Sequence, residues 1–370
     1  MQKSHSGIAV VIGTKAELIK CMPIMVELQK QNRDYFLVST GQHPLGKMCL
    51  ELGLKKPDFV LSPEPKISTK FWSKINKISF LWFFSMIFKI KKVVKEISPK
   101  YVVYHGDTMS TAAAAIGSSK ILNPGKAWKN VHLEAGLRSG SLWEPFPEEI
   151  SRRISDSFSD ILLAVSDLTE SNLKKSYGNN KTILKTGNTI IDSSLYAYKK
   201  IEKKFNKEKK EYVLINIHRH EHLRNRENLR KIVEIINSIK TRGIWPLHDN
   251  TEYYLRKYGL FDKIDKKSIL ITPLKTYDEF IFLLANCKYL IADGGSIQEE
   301  SLVFKKPCLV LRNRTERQEG LKTGINFLTM DVKKAKEIIK SLDNNKIKIK
   351  PFKNPYGEPG LSKKIIEILR

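Results

Sequence analysis

The chain has 370 residues, 41% of them hydrophobic and 28% charged, a balance that excludes a disordered or fibrous protein and supports a packed core. That length exceeds the usual single core, so two domains of roughly 150 to 200 residues are expected. Lys+Arg number 65 against 39 Asp+Glu, a net charge of +26; most of the excess is lysine in helix-like, water-facing runs such as YKKIEKKFNKEKKEY (198–212), and no nucleic-acid-binding module accompanies it, so nucleic acid is not an expected partner.

IAVVIGT (8–14) reads as a strand ending in a glycine turn, and AELIKCMPIMVELQKQ as the amphipathic helix that follows. YFLVST is the next strand. The stretch 71–97, FWSKINKISFLWFFSMIFKIKKVVKEI, holds an apolar run from Phe80 to Ile90 with lysines on both sides. Ser85 and Lys89 interrupt it, and it is shorter than the ~20 residues a membrane span requires. A helix packed beneath the first domain is the preferred reading; an interfacial helix making peripheral membrane contact is the alternative. YVVYHGD and NVHLEAG follow as strands with polar ends, and the pattern restarts with ILKTGNT, YVLINIH, GIWPLHDNT, SILITPL, YLIADGG and PCLVLRN.

Short β-branched runs alternating with helices predict an α/β protein of two Rossmann-like, doubly wound domains facing a cleft, with ligands beyond the strand carboxyl ends. The halves are expected to meet around residues 170–185. The domains are then 1–175, an N-terminal Rossmann-like domain, and 176–350, a C-terminal one, while 351–370 forms a helix packing back on the first. The cysteines Cys21, Cys49, Cys287 and Cys308 are scattered and no secretory leader precedes them, which fits a reducing cytoplasm.

GTKAELIK (13–20) leaves a strand and opens a helix, so backbone N–H groups and the helix dipole can face an anion, with Lys15 and Lys20 nearby. IADGGSIQEESL (291–302) is the better diphosphate cradle: Gly294 and Gly295 let the backbone approach, and Ser296 adds a hydroxyl donor. Glu299 and Glu300 fall in the first helical turn, a dipole position, and Glu300 also suits a ligand hydroxyl. Asp107 in HGDT and Glu134 in HLEAG end hydrophobic strands, where burial and mutual repulsion can raise a carboxyl pKa toward the range useful for proton transfer. Glu148 and Glu149, behind Pro147, read locally as dipole partners at a helix start. His218, His220 and His222 alternate in INIHRHEHL, a pattern that would suit a metal site on an extended segment. Arg224 and Arg226 follow and oppose a dication, so an anion or sugar contact for His218 is expected, with His220 and His222 in a loop and no metal.

In this order GTKAELIK, STGQH, HGDT, HLEAGLRSG with FPEEISRR, TGNTIIDS, IHRHEH, PLHDNT, DGGSIQEES and RTERQEG resemble the UDP-N-acetylglucosamine 2-epimerase family, from about residue 8 to 330. The resemblance implies a GT-B-type fold with UDP held on the second domain, and metal-independent chemistry without a cofactor. That chemistry removes the sugar C2 proton and expels UDP to give a glycal, to which UDP is re-added or water is added instead. By motif, Asp107, Glu134 and Glu148 match carboxylates assigned to proton handling, and Lys20 and Arg152 match basic positions near the substrate. His218 matches the histidine that contacts the diphosphate, Gly295, Ser296 and Glu300 match phosphate and ribose contacts, and Phe280 resembles an aromatic near uracil. Glu144 and Glu149 are then structural or peripheral.

The chain also departs from the family pattern. Lys15 stands where GTRPE has arginine, losing its planar fork. DGGS replaces DSGG and moves the hydroxyl. Pro44 and Leu45 follow TGQH where a second glutamine, associated in bacterial members with an activating second UDP-GlcNAc, often stands. The carboxylates are intact, so the elimination chemistry is expected to be retained. TGQH resembles the non-hydrolysing members, so a UDP-GlcNAc 2-epimerase feeding a surface polysaccharide or glycan is the leading expectation. A hydrolysing epimerase that releases N-acetylmannosamine and a GT-B glycosyltransferase are the alternatives. A UDP-sugar is the implied partner, and family members are commonly dimers, which implies a homodimer.

Overall fold

The computed structural model describes residues 7–63, 77–140, 147–204 and 210–370. Within them the β-branched runs form parallel strands and helices fill the connections. The first sheet comprises β1 (Ile8–Ile12), β2 (Tyr35–Ser39), β3 (Phe59–Val60), β4 (Tyr101–His105), β5 (Lys129–Ala135), β6 (Ile161–Ala164) and β7 (Thr182–Lys185), in the order β3-β2-β1-β4-β5-β6-β7. The second comprises β8 (Val213–Asn216), β9 (Gly243–Pro246), β10 (Ile269–Thr272), β11 (Tyr289–Ala292), β12 (Cys308–Val310) and β13 (Asn326–Leu328), in the order β10-β9-β8-β11-β12-β13. This is the expected α/β fold of parallel sheets with alternating helices.

β1, β6, β11 and β12 are apolar and buried along their whole length because both sheet faces are covered there. In β11, Tyr289 and Ile291 enter one buried cluster and Leu290 and Ala292 another, the period-two alternation of a pleated strand. Each sheet has a switch point where a strand is flanked by crossovers running in opposite directions: β1 between β2 and β4, and β8 between β9 and β11. Ligands of such sheets bind beyond the carboxyl ends there. GTKAE and HGDT leave β1 and β4, while INIH and DGGS leave β8 and β11, so the topology itself collects the candidate residues.

The chain forms two compact units, Met1–Ser193 with Tyr356–Arg370, and Ser194–Pro355. ILKTGNT, read as the restart of the pattern, supplies β7 of the first sheet, paired with β6, so the first unit runs past the 175/176 boundary. Alternation identified a strand there but could not name its partner, a four-residue strand that sequence reading did not pick out. The C-terminal helix spans Leu361–Ile368. It packs against the Lys15–Lys30 helix, and the Arg33 guanidinium donates to the Leu369 carbonyl at 3.0 Å.

The Lys77–Ile97 helix is two-sided. Met86, Ile87, Ile90, Val93, Val94 and Ile97 pack into the core beside β4, whereas Phe80, Leu81, Phe84 and Phe88 are exposed. Among the described residues no helix is long and apolar enough to cross a membrane. Residues 71–76 of this stretch, and Glu144, lie outside the described residues.

Candidate functional site

In the first unit, β1 ends at Gly13 and Thr14, and Thr14 caps the Lys15–Lys30 helix in a reciprocal box with Glu17. No Cβ fits at Gly13, since it would lie 1.9 Å from the Ser110 hydroxyl. Glu17 is buried and accepts from the Gly13 and Thr14 amides at 2.8 and 2.7 Å and from the Thr108 and Thr111 hydroxyls at 2.6 Å each. Burial pushes its carboxyl above the usual range, with those donors pulling the other way. It thus ties the β1 turn to the HGDT turn. Lys15, the first helical residue, is exposed.

Lys20 projects from the same helix to Glu134. Its Nζ lies 2.5 Å from Oε2, and both side chains are buried. The Asn188 amide, from the TGNT motif, donates to the same oxygen at 2.7 Å, and His105 Nε2 is 3.6 Å away. Glu134 occupies a left-handed backbone position, φ 62°, where the β5–β6 register shifts between Leu133 and Ala135. A bulge of this kind re-aims a side chain out of the strand's alternation.

Asp107 follows β4 through Gly106, itself left-handed at φ 79°. Its carboxylate accepts from Arg152 Nη2, while Arg152 Nη1 donates to Glu149 at 2.7 Å. Arg152 and Glu149 are buried on the Glu148–Phe158 helix, whose N-cap is Pro147. Glu149 also accepts from Arg153 at 3.1 Å and from the Ser139 amide at 3.2 Å. Glu148 opens that helix, half-buried. Farther along it, Asp156 faces His132 and Arg138: His132 Nδ1 lies 2.8 Å from Oδ1 and Arg138 Nη2 2.7 Å from Oδ2. Burial alone would raise the Asp156 carboxyl, but these two partners hold it below the usual range. The first unit therefore pairs Lys20 with Glu134 and Arg152 with Asp107, as side chains from different elements converging at strand ends.

In the second unit, His218 leaves β8 with its backbone N–H on both oxygens of Asp293, 3.1 Å each, and its Nδ1 2.9 Å from Asn216 Oδ1. Asp293 closes β11 and also accepts from the Arg219 amide at 2.9 Å. Burial pushes its carboxyl up against those donors. Desolvation, with Arg219 and His220 adding repulsion, holds the His218 ring well below the usual histidine range even though its side chain is 40% exposed. It is neutral at pH 7 and stacks on His248, with ring centroids 5.0 Å apart. His248 is likewise held down to about 4, by burial and then by His218.

His220 and His222 do not lie in a loop. They sit on a helical turn, His220–Leu223, with His220 exposed and His222 buried, because Arg219 and the turn redirect the chain after β8. Among the described residues no group of three or more His, Cys, Asp or Glu side chains is placed to hold a metal.

The glycines of DGGS pack closely. A Cβ on Gly294 would meet His218 Cε1 at 3.2 Å, and one on Gly295 would meet Arg317 Nη1 at 2.9 Å. Ser296 is the N-cap of the Ile297–Val303 helix, and its side chain makes no capping bond. Behind it Glu299 pairs with Arg317 at 3.1 Å, and Arg317 also pairs with Glu316, so the RTERQEG segment braces the cradle. Glu300 accepts from the Tyr277 hydroxyl at 3.0 Å. Phe280, on the same Tyr277–Asn286 helix, is half-buried against the cluster around Leu214 and Ala292.

Glu17, Asn188, His132, Asp156, Arg138 and His248 were not singled out from sequence. The Thr14-x-x-Glu17 capping box was a usable signal for the first of them, and TGNT and HLEAG contain Asn188 and His132. HLEAGLRSG also contains Arg138 and PLHDNT contains His248, whereas nothing local marks Asp156.

The family model described as UDP-N-acetylglucosamine 2-epimerase matches residues 26–370. The chain is 32% identical over 380 residues to the UDP-N-acetylglucosamine 2-epimerase of Methanocaldococcus jannaschii, covering 98% of each chain. It is 29% identical to the UDP-2,3-diacetamido-2,3-dideoxy-D-glucuronate 2-epimerase of Pseudomonas aeruginosa, covering 87% of each. Among solved structures, the M. jannaschii enzyme in complex with UDP-GlcNAc and UDP superimposes with a TM-score of 0.82 at 31% identity, over 98% of this chain and 99% of that one.

Proposed function

The chain belongs to the UDP-N-acetylglucosamine 2-epimerase family, and from that premise we propose that it is a carbohydrate epimerase interconverting UDP-GlcNAc and UDP-ManNAc, or a close UDP-2-acetamido relative. One observation carries the reading beyond membership: Glu134 and Asp107, at the ends of neighbouring parallel strands, are each held by a cation from another element, Lys20 and Arg152. A carboxylate fixed in this way can meet a C–H bond in one orientation, which general base catalysis at a non-acidic carbon requires.

In the forward direction a carboxylate takes the C2 proton, the C1–O bond breaks with its electron pair leaving on UDP, and the glycal forms. Return of UDP oxygen to C1 and of a proton to the opposite face of C2 completes the inversion. Asp107, Glu134 and Glu148 are assigned the proton transfers, with Lys20 and Arg152 orienting them. His218, Gly294, Gly295, Ser296 and Glu300 hold diphosphate and ribose through N–H and hydroxyl donors and one acceptor. Lys15 contributes charge near the β1 turn, and Phe280 packs near the base. The product enters surface polysaccharide or glycan synthesis.

The test is UDP-GlcNAc in deuterium oxide followed by proton NMR. Deuterium at C2 with UDP still attached is the expected outcome. UDP with free sugar would assign the chain to the hydrolysing mode, and neither would remove UDP-GlcNAc as its substrate. A panel of 2-acetamido and 2,3-diacetamido UDP-sugars, read in the same way, then fixes the sugar.

A further inference from the structure

Resting on the reading that Asp107 moves a proton, we infer that His132, backed by Asp156 and Arg138, is a positioning residue that sets the orientation of Asp107 through its backbone. His132 is fully buried on β5. Its Nε2 lies 2.8 Å from the Gly106 carbonyl and its Nδ1 2.8 Å from Asp156. Both partners are acceptors, so a ring with a proton on each nitrogen satisfies both contacts.

The Gly106 carbonyl belongs to the peptide that carries the Asp107 nitrogen, so the ring fixes the plane from which Asp107 departs. The other side of Gly106 is also tied, its N–H donating to the Leu133 carbonyl at 3.1 Å. The residue after Asp107, Thr108, caps the Met109–Gly117 helix with its hydroxyl on the Thr111 amide at 3.1 Å. Asp107 thus hangs between two anchored neighbours, and its carboxylate is gripped by Arg152.

Glu149, Arg152 and Asp156 are spaced along one face of a single helix. That helix therefore holds Asp107 twice: by the side chain through Arg152, and by the backbone through Asp156 and His132. Packing alone does not call for this. An ionic cluster removed from water is often no more stable than apolar side chains of the same volume. Here the charged chain ends on the carbonyl preceding a proton-handling carboxylate, and misplacing a reacting group by about 1 Å can cost on the order of 100-fold in rate.

The test compares His132→Phe, which keeps a planar ring and removes both donors, with His132→Gln, whose amide can still reach Gly106. For the Phe variant kcat for C2 exchange, taken per folded enzyme, is expected to fall about 10- to 100-fold with KM near the wild-type value, and the unfolding midpoint to fall as well, since buried Asp156 loses one of its partners. The Gln variant should recover part of kcat. A folded Phe variant with wild-type kcat, or a kcat loss that merely follows KM or stability, overturns the inference. Should the Phe variant fail to fold, His132→Leu, smaller and likewise without donors, decides: a lowered kcat per folded enzyme at unchanged KM supports it, and an unchanged kcat overturns it. The 15N resonance of the Asp107 amide, which senses the hydrogen bond on the preceding carbonyl, gives an independent reading. It should move in the Phe variant and return toward wild type in the Gln variant. If the wild type itself does not exchange C2, the functional reading fails, while this resonance still decides whether His132 sets the peptide.

Discussion

Glu134 and Asp107 in the first unit each lie against a cation drawn from another element, whereas the second unit builds its cradle from close-packed glycines and two stacked imidazoles held neutral at pH 7. On the proposed assignment, the first arrangement keeps charge where proton transfer needs it. The second lets an anion bring its own charge to N–H donors. The first unit should therefore govern turnover and the second should govern UDP affinity, a division that substitutions can break.

Asp107→Asn and Glu134→Gln should have the largest effect, lowering kcat by about 10²- to 10⁴-fold while UDP binding, followed by calorimetry, stays within a few-fold. Loss of UDP binding in either variant would dissolve the division. Next comes Arg152→Met, which takes one guanidinium from buried Glu149, leaving it Arg153 and Ser139. Removing one partner of a buried pair costs about 3–5 kcal/mol, read from the denaturant midpoint, and kcat should fall with it. Gly295→Val tests the other unit: its side chain must displace Arg317, UDP affinity should weaken by about tenfold, equivalent to about 1.4 kcal/mol, and the unfolding midpoint should fall because Arg317 is buried in pairs with Glu299 and Glu316.

A smaller effect concerns the imidazole pair. His218→Gln removes the second cause holding His248 down but leaves its burial, so the His248 pKa should rise above about 4 yet remain below 6.5. A folded-state value depressed in this way gives stability that is present above pH 6.5 and lost as pH falls toward 4. The variant should therefore unfold less readily in that window, checked by melting at several pH values. The smallest effect is expected at the exposed aromatic face: Phe80→Ser with Phe88→Ser should leave kcat within about twofold, since neither side chain packs into the core and surface changes of this kind are usually within about 0.5 kcal/mol.

Much of this was legible in the chain itself. Ten of the strands were named by their β-branched runs, and the strand-end positions of Asp107, Glu134, His218 and Gly294 follow from where those runs stop. β3, β6 and β13 were not picked out; length alone does not separate them, since β7 to β11 have four residues each and β12 three. The pairings were harder to read. Lys20 and Glu134 are 114 positions apart and Arg152 and Asp107 are 45 apart, and no local pattern reports which strand ends lie side by side. Glu149 and Asp156 look like helix-surface acids in sequence, and only packing of their helix against β5 and the Met109–Gly117 helix turns them inward. His220 and His222 misled for a related reason, since alternation along a supposed extended segment disappears once Arg219 starts a helical turn.

Glu134 has a backbone that L-residues other than glycine rarely adopt, and such a position typically costs about 1–3 kcal/mol. Glycine or asparagine would relax the turn, but would take from buried Lys20 the carboxylate it pairs with, a loss of about 3–5 kcal/mol that outweighs the strain. The strained turn and the lysine are therefore locked together: neither can be exchanged alone without stranding the other.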